Sequence, residues 1–434
     1  MTQSASQERP QGKIPSKVLP TSFFIRNRQR LQDCLGDSYL ALISSGRPPR
    51  RTADEDYLFF ANRNFFYLCG IEQENAVILL FRHGSVSREI LFLPAQDMLQ
   101  ERWTGRRLRR DQAASRSGLP EVLYLEGFEG VFTDLMAQLP LQFWLDFSAQ
   151  DPQAAEIRTW IDSRHPGRAP SDLAGIFTQL RMIKDPSEIE CLKSAIALTG
   201  RGIEALLRQV APGRMEYELW SHFQHALALE GCLSPAFPSI VAAGENSLCL
   251  HYMNPHAEIK AGDLIQIDVG ATVGGLCADI SRVFPADGRF SPRQLAVYQL
   301  VRSCQEEAFA TIRPGITLKE INDRCREVAR IGLCELKILQ GDDTVNNYFW
   351  HGVSHHLGLD VHDAADRDVL LKPGMVLTVE PGLYITDWQF GLRLEDDVLV
   401  TANGCTVLSQ AIPREAADIE AALLLYKNQP AVYN

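Results

Sequence analysis

The sequence predicts two domains, an α/β amino-terminal domain followed by an α+β carboxy-terminal domain. Three observations carry this expectation. The chain has 434 residues, more than a single hydrophobic core usually supports. Its first half alternates short apolar runs with polar connections, whereas its second half moves from long helical stripes to segments with a period of two. With 45% apolar and 22% charged residues, the composition is that of an ordinary globular protein.

Residues 1–20 are polar and lack an apolar run, so they read as a disordered tail without a signal peptide. The α/β domain is expected over residues 21–168. Its runs YLALISS, NAVILLF, EILFLP and EVLYL have the length and the Ile, Leu and Val content of buried strands. It should end near DSRHPGRAPSD, where Pro166, Gly167 and Pro170 suggest a link. The α+β domain is expected over 169–434. It opens on a helix with Asp185 as N-cap, Pro186 in the first turn and Glu188 three residues past the cap. Ile189, Leu192, Ile196, Ile203 and Leu206 give that helix its apolar stripe. A second helix, MEYELWSHFQHALALEG, stops at Gly231. Two more are announced by Ser291 before Pro292 and by the Thr317 and Glu320 capping pair. The period then falls to two in DLIQIDVG, CADISRVF, MVLTVEPGLYI and GLRLEDDVLVT, which read as an antiparallel sheet.

The bulk numbers exclude several functions. A net charge of −11 and a pI near 5.5 disfavour a nucleic-acid or anionic-membrane binder. No run approaches the roughly 18 apolar residues of a membrane span. The ten cysteines show no CxxC spacing and read as reduced thiols of a cytoplasmic protein. Zincin, P-loop, dinucleotide and nucleophile-elbow motifs are absent. One basic patch, RWTGRRLRR, places five arginines between Arg102 and Arg110. It is either a salt-bridged face or a surface that meets a carboxylate.

The acidic residues of the second domain suggest chemistry. Asp268 and Asp279 lie symmetrically about Val273 and Gly274. A turn centred there would oppose them directly on a hairpin, their Cβ atoms about 5 Å apart. Two ionised carboxylates that close repel by several kcal/mol at an effective dielectric near 20. Either one takes a proton or a cation sits between them. A register shifted by one residue would instead send them to opposite faces. Glu380, before Pro381 in TVEPG, must be extended. Glu395 falls on the same face of its strand as Arg393 and is either a cheap surface pair with it or a further ligand. HGVSHHLGLDVHD adds four of the chain's ten histidines. Four carboxylates and one histidine would balance two divalent cations in an oxygen-rich site.

Taken in order, ENSLCLHY, IDVG, ADISRVFP, HGVSHHLGLDVHD, GMVLTVEPGLYI and GLRLEDD resemble the motifs of aminopeptidase P and prolidase, the pita-bread metallopeptidases. RTADEDYLFFANRNFFYLCGI and RWTGRRL resemble the aminopeptidase P amino-terminal domain. The resemblance implies a pita-bread catalytic domain that hydrolyses the bond before proline and releases the amino-terminal residue. It implies Asp268, Asp279, His355, Glu380 and Glu395 as ligands of two divalent ions, manganese ahead of cobalt, iron or zinc. Asp279 and Glu395 would bridge, Asp268 would hold one ion, and His355 and Glu380 the other. It further implies His251, Glu380, His362 and Arg393 as catalytic groups and His351, Tyr384 and Trp103 as substrate-binding groups. Trp103 would reach a neighbouring subunit's site, which implies a homodimer or homotetramer; packing within its own domain is the alternative. His356 carries no implied role. The loop from Thr386 to Phe390 and the stretch between VHD and KPGM are short for this family, which bears on substrate preference. An Xaa-Pro dipeptidase, a creatinase-like hydrolase and a catalytically silent binding protein are the competing readings. No nucleic-acid or membrane partner is expected, only proline-containing peptides.

Overall fold

The computed structural model describes residues 18–137, 141–147, 152–366 and 368–427. The expected tail lies outside the described residues up to residue 17, while Leu19 is already buried. The chain divides into two compact units, Leu19–Arg181 and Met182–Asn434.

The first unit is α/β. Its elements are α1 (Thr21–Leu35), β1 (Ser38–Ser44), α2 (Arg63–Cys69), β2 (Val77–His83), β3 (Val86–Leu93), α3 (Met98–Thr104), α4 (Arg110–Ser117), β4 (Glu121–Tyr124), α5 (Phe128–Met136), β5 (Gln142–Leu145), α6 (Pro152–Arg164), β6 (Ser171–Asp172) and α7 (Ala174–Met182). The strands form one mixed sheet in the order β4-β3-β2-β1-β5-β6. Apolar side chains of β1, β2 and β3 pack with Phe132 of α5, Phe143 of β5 and Ile161 of α6 to form the core. The four apolar runs read from the sequence fall on β1 to β4.

The division at 168/169 expected from the sequence differs from this boundary. Gly167, at φ +84°, makes a turn inside the first unit. The chain then continues into β6, which pairs in parallel with β5. Leu180 offers its carbonyl to Tyr67, and Arg181 donates to Asn64, so the residues up to 181 are tied to the first sheet's own helices. A Pro- and Gly-rich stretch has the chemistry of a turn as well as of a linker.

The second unit comprises α8 (Pro186–Leu207), α9 (Glu216–Leu229), β7 (Ile240–Ala243), β8 (Leu264–Val269), β9 (Thr272–Val273), β10 (Leu276–Cys277), β11 (Ile280–Pro285), α10 (Pro292–Thr311), α11 (Leu318–Glu335), β12 (Val376–Val379), β13 (Gly382–Ile385), β14 (Phe390–Arg393), β15 (Asp396–Val400), β16 (Cys405–Val407) and α12 (Ala416–Lys427). Asp185, Ser291 and Thr317 cap α8, α10 and α11, each with its capping box. All pairing here is antiparallel, in the arrangements β7-β8-β11, β9-β10, β12-β15-β16 and β13-β14. No helix among the described residues is long and apolar enough to cross a membrane.

Two details of this sheet position the acids. The first is the turn between β9 and β10. It falls on Gly274 and Gly275, both at positive φ, one residue later than the sequence symmetry suggested. Two consecutive residues at φ > 0 make a tight hairpin turn that glycine adopts at no steric cost. Asp268 therefore pairs with Ser281, not with Asp279. The displacement is two residues in register, so the period of two keeps both aspartates on one face, diagonal and not opposed. The second detail is a break in the later ladder. Val379 pairs with Asp396 and Gly382 with Arg393. Both stretches keep one register, which sets Glu380 across from Glu395 at the break. Glu395 is thus not inside a strand, as its alternation had suggested, but between β14 and β15.

Candidate metal centre

His355 shows most directly what this site accommodates. The segment from Val353 to Leu357 runs beside β12, with Glu380 N–H donating to the Val353 carbonyl, Thr378 N–H to that of His355, and Leu357 N–H to that of Val376. Within it the His355 Nδ1 lies 3.0 Å from the His356 carbonyl and must donate to it. The proton is then on Nδ1, and Nε2 presents a lone pair. That lone pair faces Asp279 Oδ2 at 3.5 Å and Glu380 Oε1 at 3.4 Å. Burial pushes the His355 pKa down to about 4, so at neutral pH the ring carries only its Nδ1 proton and Nε2 stays an acceptor. Donor atoms of Asp279, His355 and Glu395 all lie within 4.8 Å of one another.

The carboxylates are strained in the same sense. Burial, then the charges of Glu395 and Asp268, hold Asp279 well above the usual carboxylate range. Burial, then Glu380 and Asp268, do the same to Glu395. Burial raises Glu380 to about 7 against the pull of Arg393. Asp268 Oδ1 is buried without a hydrogen-bond partner among the described residues. A convergence of lone pairs, with an orphaned carboxylate oxygen beside it, fits a cation. The histidine that donates its other ring N–H to a backbone carbonyl is also the arrangement of a metal-ligating imidazole.

Neighbouring groups fix these donors. Arg393, at the end of β14, donates to Asp268 Oδ2 at 2.6 Å, to Ser281 Oγ at 2.9 Å and to the Tyr384 hydroxyl at 3.1 Å. Ser281 Oγ in turn donates to Glu395 Oε2 at 2.9 Å. Thr378 Oγ1 accepts from the His355 N–H and donates to Glu380 Oε1 at 3.3 Å. Asp397 Oδ2 accepts from the Asp279 N–H. Beneath the site the buried Arg282 donates to Asp396 Oδ1 at 2.8 Å and to the Glu395 carbonyl, joining β11 to β15. Arg393 and Glu395 are both buried and share no hydrogen bond, so they are not a surface ion pair. None of Ser281, Thr378, Asp397 and Arg282 was singled out from the sequence. Their signal was available for Ser281 and Arg282, which follow Asp279 in ADISR.

The other histidines separate. His351 Nδ1 lies 2.7 Å from the Gly352 carbonyl, and its Nε2 accepts from the Tyr384 hydroxyl at 2.8 Å. Burial and then Arg393 lower its pKa to about 4, with smaller contributions from Arg326 and His251. It also sits 3.6 Å from Glu380 Oε2. Trp350 stacks on Tyr384, ring centroids 4.7 Å apart. The His362 ring meets that of His355 edge-on at 4.3 Å. His251 lies in an exposed turn. His356 is buried, its nitrogens without a hydrogen-bond partner among the described residues, and burial lowers its pKa to about 4.

Trp103 belongs to the first unit. It lies on α3, a helix with no buried residue, and is 90% exposed, so it is not packed within its own domain. The arginine patch beside it is largely occupied. Arg109 pairs with both oxygens of Glu101, Arg107 reaches the Ala95 carbonyl and Gln100, and Arg110 lies over Tyr124. Arg102 and Arg106 are exposed.

The chain is similar to known proteins along most of its length. Residues 190–402 match the metallopeptidase family M24, and residues 24–142 the aminopeptidase P amino-terminal domain. A Xaa-Pro aminopeptidase of Haemophilus influenzae is 33% identical, over 93% of this chain and 97% of its own. A variant of Escherichia coli aminopeptidase P in complex with substrate superposes with a TM-score of 0.89 at 29% identity, over 95% of this chain and 100% of the other. A proline aminopeptidase P II from Yersinia pestis gives 0.87 at 31% identity, over 94% and 100%. The chain belongs to metallopeptidase family M24, in the branch whose pita-bread catalytic domain follows an aminopeptidase P amino-terminal domain.

Proposed function

We propose that this metallo-aminopeptidase hydrolyses the peptide bond between an amino-terminal residue and a following proline, with two divalent cations held by Asp268, Asp279, His355, Glu380 and Glu395. The observation that carries the reading is the His355 Nε2 lone pair facing two carboxylates, 3.5 and 3.4 Å away, at neutral pH. The 33% identity to a Xaa-Pro aminopeptidase over 93% of the chain supports it. Asp279 and Glu395 would bridge the ions, Asp268 would hold one of them, and His355 with Glu380 the other. Oxygen-rich ligation favours manganese ahead of cobalt, iron or zinc. Zinc also suits this donor set, and the Escherichia coli relative is known in a zinc-substituted form with product.

When bound, the cations supply a Lewis acid for the scissile carbonyl and acidify water enough for attack near neutral pH. Glu380 takes the proton released by the attacking water and returns it to the proline nitrogen as that nitrogen leaves. The Thr378 hydroxyl orients Glu380 for this. His251 donates an N–H to the carbonyl oxygen as negative charge develops on it. Arg393 holds Asp268 in place and, through the Tyr384 hydroxyl, holds His351 with its Nε2 as acceptor. His362, against the His355 ring, lines the side where the leaving group departs. Proline has no N–H to donate, so the shape of the pocket reads it, with His351 in its wall and the fully buried Tyr384 behind His351. Trp103 serves the site of a partner copy, in a homodimer or homotetramer.

The test measures metal content together with cleavage of an Xaa-Pro-Xaa tripeptide and an Xaa-Pro dipeptide. Two ions per chain and tripeptide cleavage are expected. Cleavage of the dipeptide alone moves the assignment to a prolidase. Two ions with no hydrolysis of either peptide leaves a binding protein.

A further inference from the structure

The segment that carries His251 is long and irregular. It leaves β7 at Ala243, makes a 3₁₀ turn over Gly244–Leu248, and rejoins regular pairing only near Glu258, which bridges to Met215. A histidine that must meet a developing charge to within a fraction of an ångström is poorly served by such a segment, unless something outside it fixes its course.

Glu216 provides that fixed point. It opens α9, and its side chain is completely buried. Its Oε1 accepts from the Ala243 N–H at 2.7 Å and from Asn246 Nδ2 at 2.9 Å. Its Oε2 accepts from the Tyr252 hydroxyl at 3.0 Å and from the Ala257 N–H at 3.0 Å. An ionised carboxylate offers about four acceptor positions, and here four donors meet them. The donors are spaced along one stretch of chain: its entry, its 3₁₀ turn, the residue after His251, and its exit. Asn246 Nδ2 also lies 3.0 Å from the Tyr252 hydroxyl, closing the cage across the turn. The exit is doubled, since the Glu216 N–H donates to the Ala257 carbonyl and the Ile259 N–H to that of Arg214. Position within α9 suits the charge, because the first turn of a helix presents its partial positive end to a carboxylate.

The four bonds use the carboxylate's symmetry. A glutamine would keep one acceptor oxygen and turn an amino group toward two of the four donors, leaving them buried and unpaired. An aspartate is one methylene short of the same positions. The carboxylate is spent wholly on this loop, and it touches no atom of the metal centre described above.

We propose that Glu216 is a positioning residue for the peptidase reaction, setting His251 against the scissile carbonyl by anchoring both ends and the turn of the His251 segment. The inference rests on the assignment of His251 to the substrate carbonyl. The test uses the full-length, manganese-loaded protein with an Xaa-Pro-Xaa tripeptide, and compares Glu216→Gln, Tyr252→Phe, His251→Ala and the double variant Glu216→Gln with His251→Ala. Glu216→Gln should lower kcat by about ten- to a hundredfold, the scale of an ångström's misplacement. KM should stay within about twofold and metal content should match the wild type. Amide exchange at Ala243 and Ala257 should quicken. In the His251→Ala background the same substitution should cost almost nothing more. Tyr252→Phe removes one bond from the loop side and should act in the same direction, more weakly, and it carries the test if Glu216→Gln does not fold. Full multiplication of the two losses in the double variant overturns the inference. So does wild-type kcat in Tyr252→Phe and Glu216→Gln, or metal loss in step with activity loss. Wild-type activity in His251→Ala removes the assignment of His251 itself and takes the anchor's catalytic role with it, an outcome that the single variants at Glu216 and Tyr252 keep separate.

Discussion

Replacing Asp279 by asparagine should stabilise the metal-free protein while destroying the enzyme. The side chain keeps its shape and loses its charge. In the structure, donor atoms of Asp279 and Glu395 lie no more than 4.8 Å apart, both buried. At an effective dielectric near 20, two unit charges at that distance repel by about 3.5 kcal/mol. Relaxation and protonation of one carboxyl relieve part of this, so a net gain of about 1–3 kcal/mol is expected for the stripped variant at pH 8. For a domain of this size that is a rise in Tm of roughly 3–10 °C. With cations present the order should invert. The wild type gains stability in proportion to RT ln(1 + [L]/Kd), and the variant, with a weakened site, gains little. The assay is calorimetric unfolding of both proteins after exhaustive chelation and again with added manganese, with metal counted by elemental analysis and activity read on an Xaa-Pro-Xaa peptide. Activity should be abolished and metal occupancy lowered. A stripped variant no more stable than the stripped wild type shows that the carboxylates are not in conflict. Equal metal content in the two proteins removes Asp279 from the ligand set.

Three further outcomes follow from the same structure. Burial raises Glu188 from 4.5 to about 7 against the pull of Lys184. The folded state therefore holds a proton that the unfolded chain has released between those values, so stability falls as pH rises through that window and stays lower above it. Glu188→Gln should flatten that fall by about 3 kcal/mol, and parallel stability curves for the two proteins from pH 4 to 8 would remove the effect. Gly270→Ala should cost about 1–3 kcal/mol or more and weaken metal binding, because a Cβ there would sit 1.8 Å from the Ala278 carbonyl oxygen and displace the backbone next to Asp279; a variant with unchanged Tm and metal affinity contradicts the close approach. Trp103→Ala, at a position 90% exposed, should leave metal content unaltered and reduce either peptide cleavage or oligomer size, and normal values of both would return α3 to a solvated face.

The parts of this protein that could be read from the sequence are those governed by local rules. The caps of α8, α10 and α11 are legible because Asp, Ser or Thr followed three residues later by Glu or Gln satisfies the first turn's N–H groups with side chains already nearby. The strands are legible from their period. The face shared by Asp268 and Asp279 is also legible, and it survives the misplacement of the turn, because Gly274 and Gly275 move the pairing by two and not by one. What the period cannot show is where a ladder stops. MVLTVEPGLYI and GLRLEDDVLVT each look continuous, yet both break, and the breaks face each other. Nor can spacing along the chain reveal a carboxylate such as Glu216, whose partners lie between 27 and 41 residues away. Its composition and position resemble those of any solvated first-turn glutamate. The domain boundary is not legible for a related reason: turn-forming residues around Gly167 have the same chemistry in a helix-to-strand turn inside a domain as in a linker.

The break in the ladder also explains why these acids can be buried at all. Were β12 to run unbroken into β13, positions 380 and 395 would spend their backbone groups on each other. At the break the Glu380 N–H goes instead to the Val353 carbonyl and the Glu395 N–H to that of Ser281. Each glutamate is thereby pinned to a different neighbour, one to the histidine segment and one to the strand that follows Asp279. Arg393 and Arg282 then place fixed positive charge on either side of Glu395, through Asp268 and Asp396. Two arginines buried this way offset part of the acids' charge but make no hydrogen bond to the side chains of Asp279, Glu380 or Glu395. The uncompensated remainder points at His355 Nε2, and it is that remainder which selects a cation over a further side chain as the completing element.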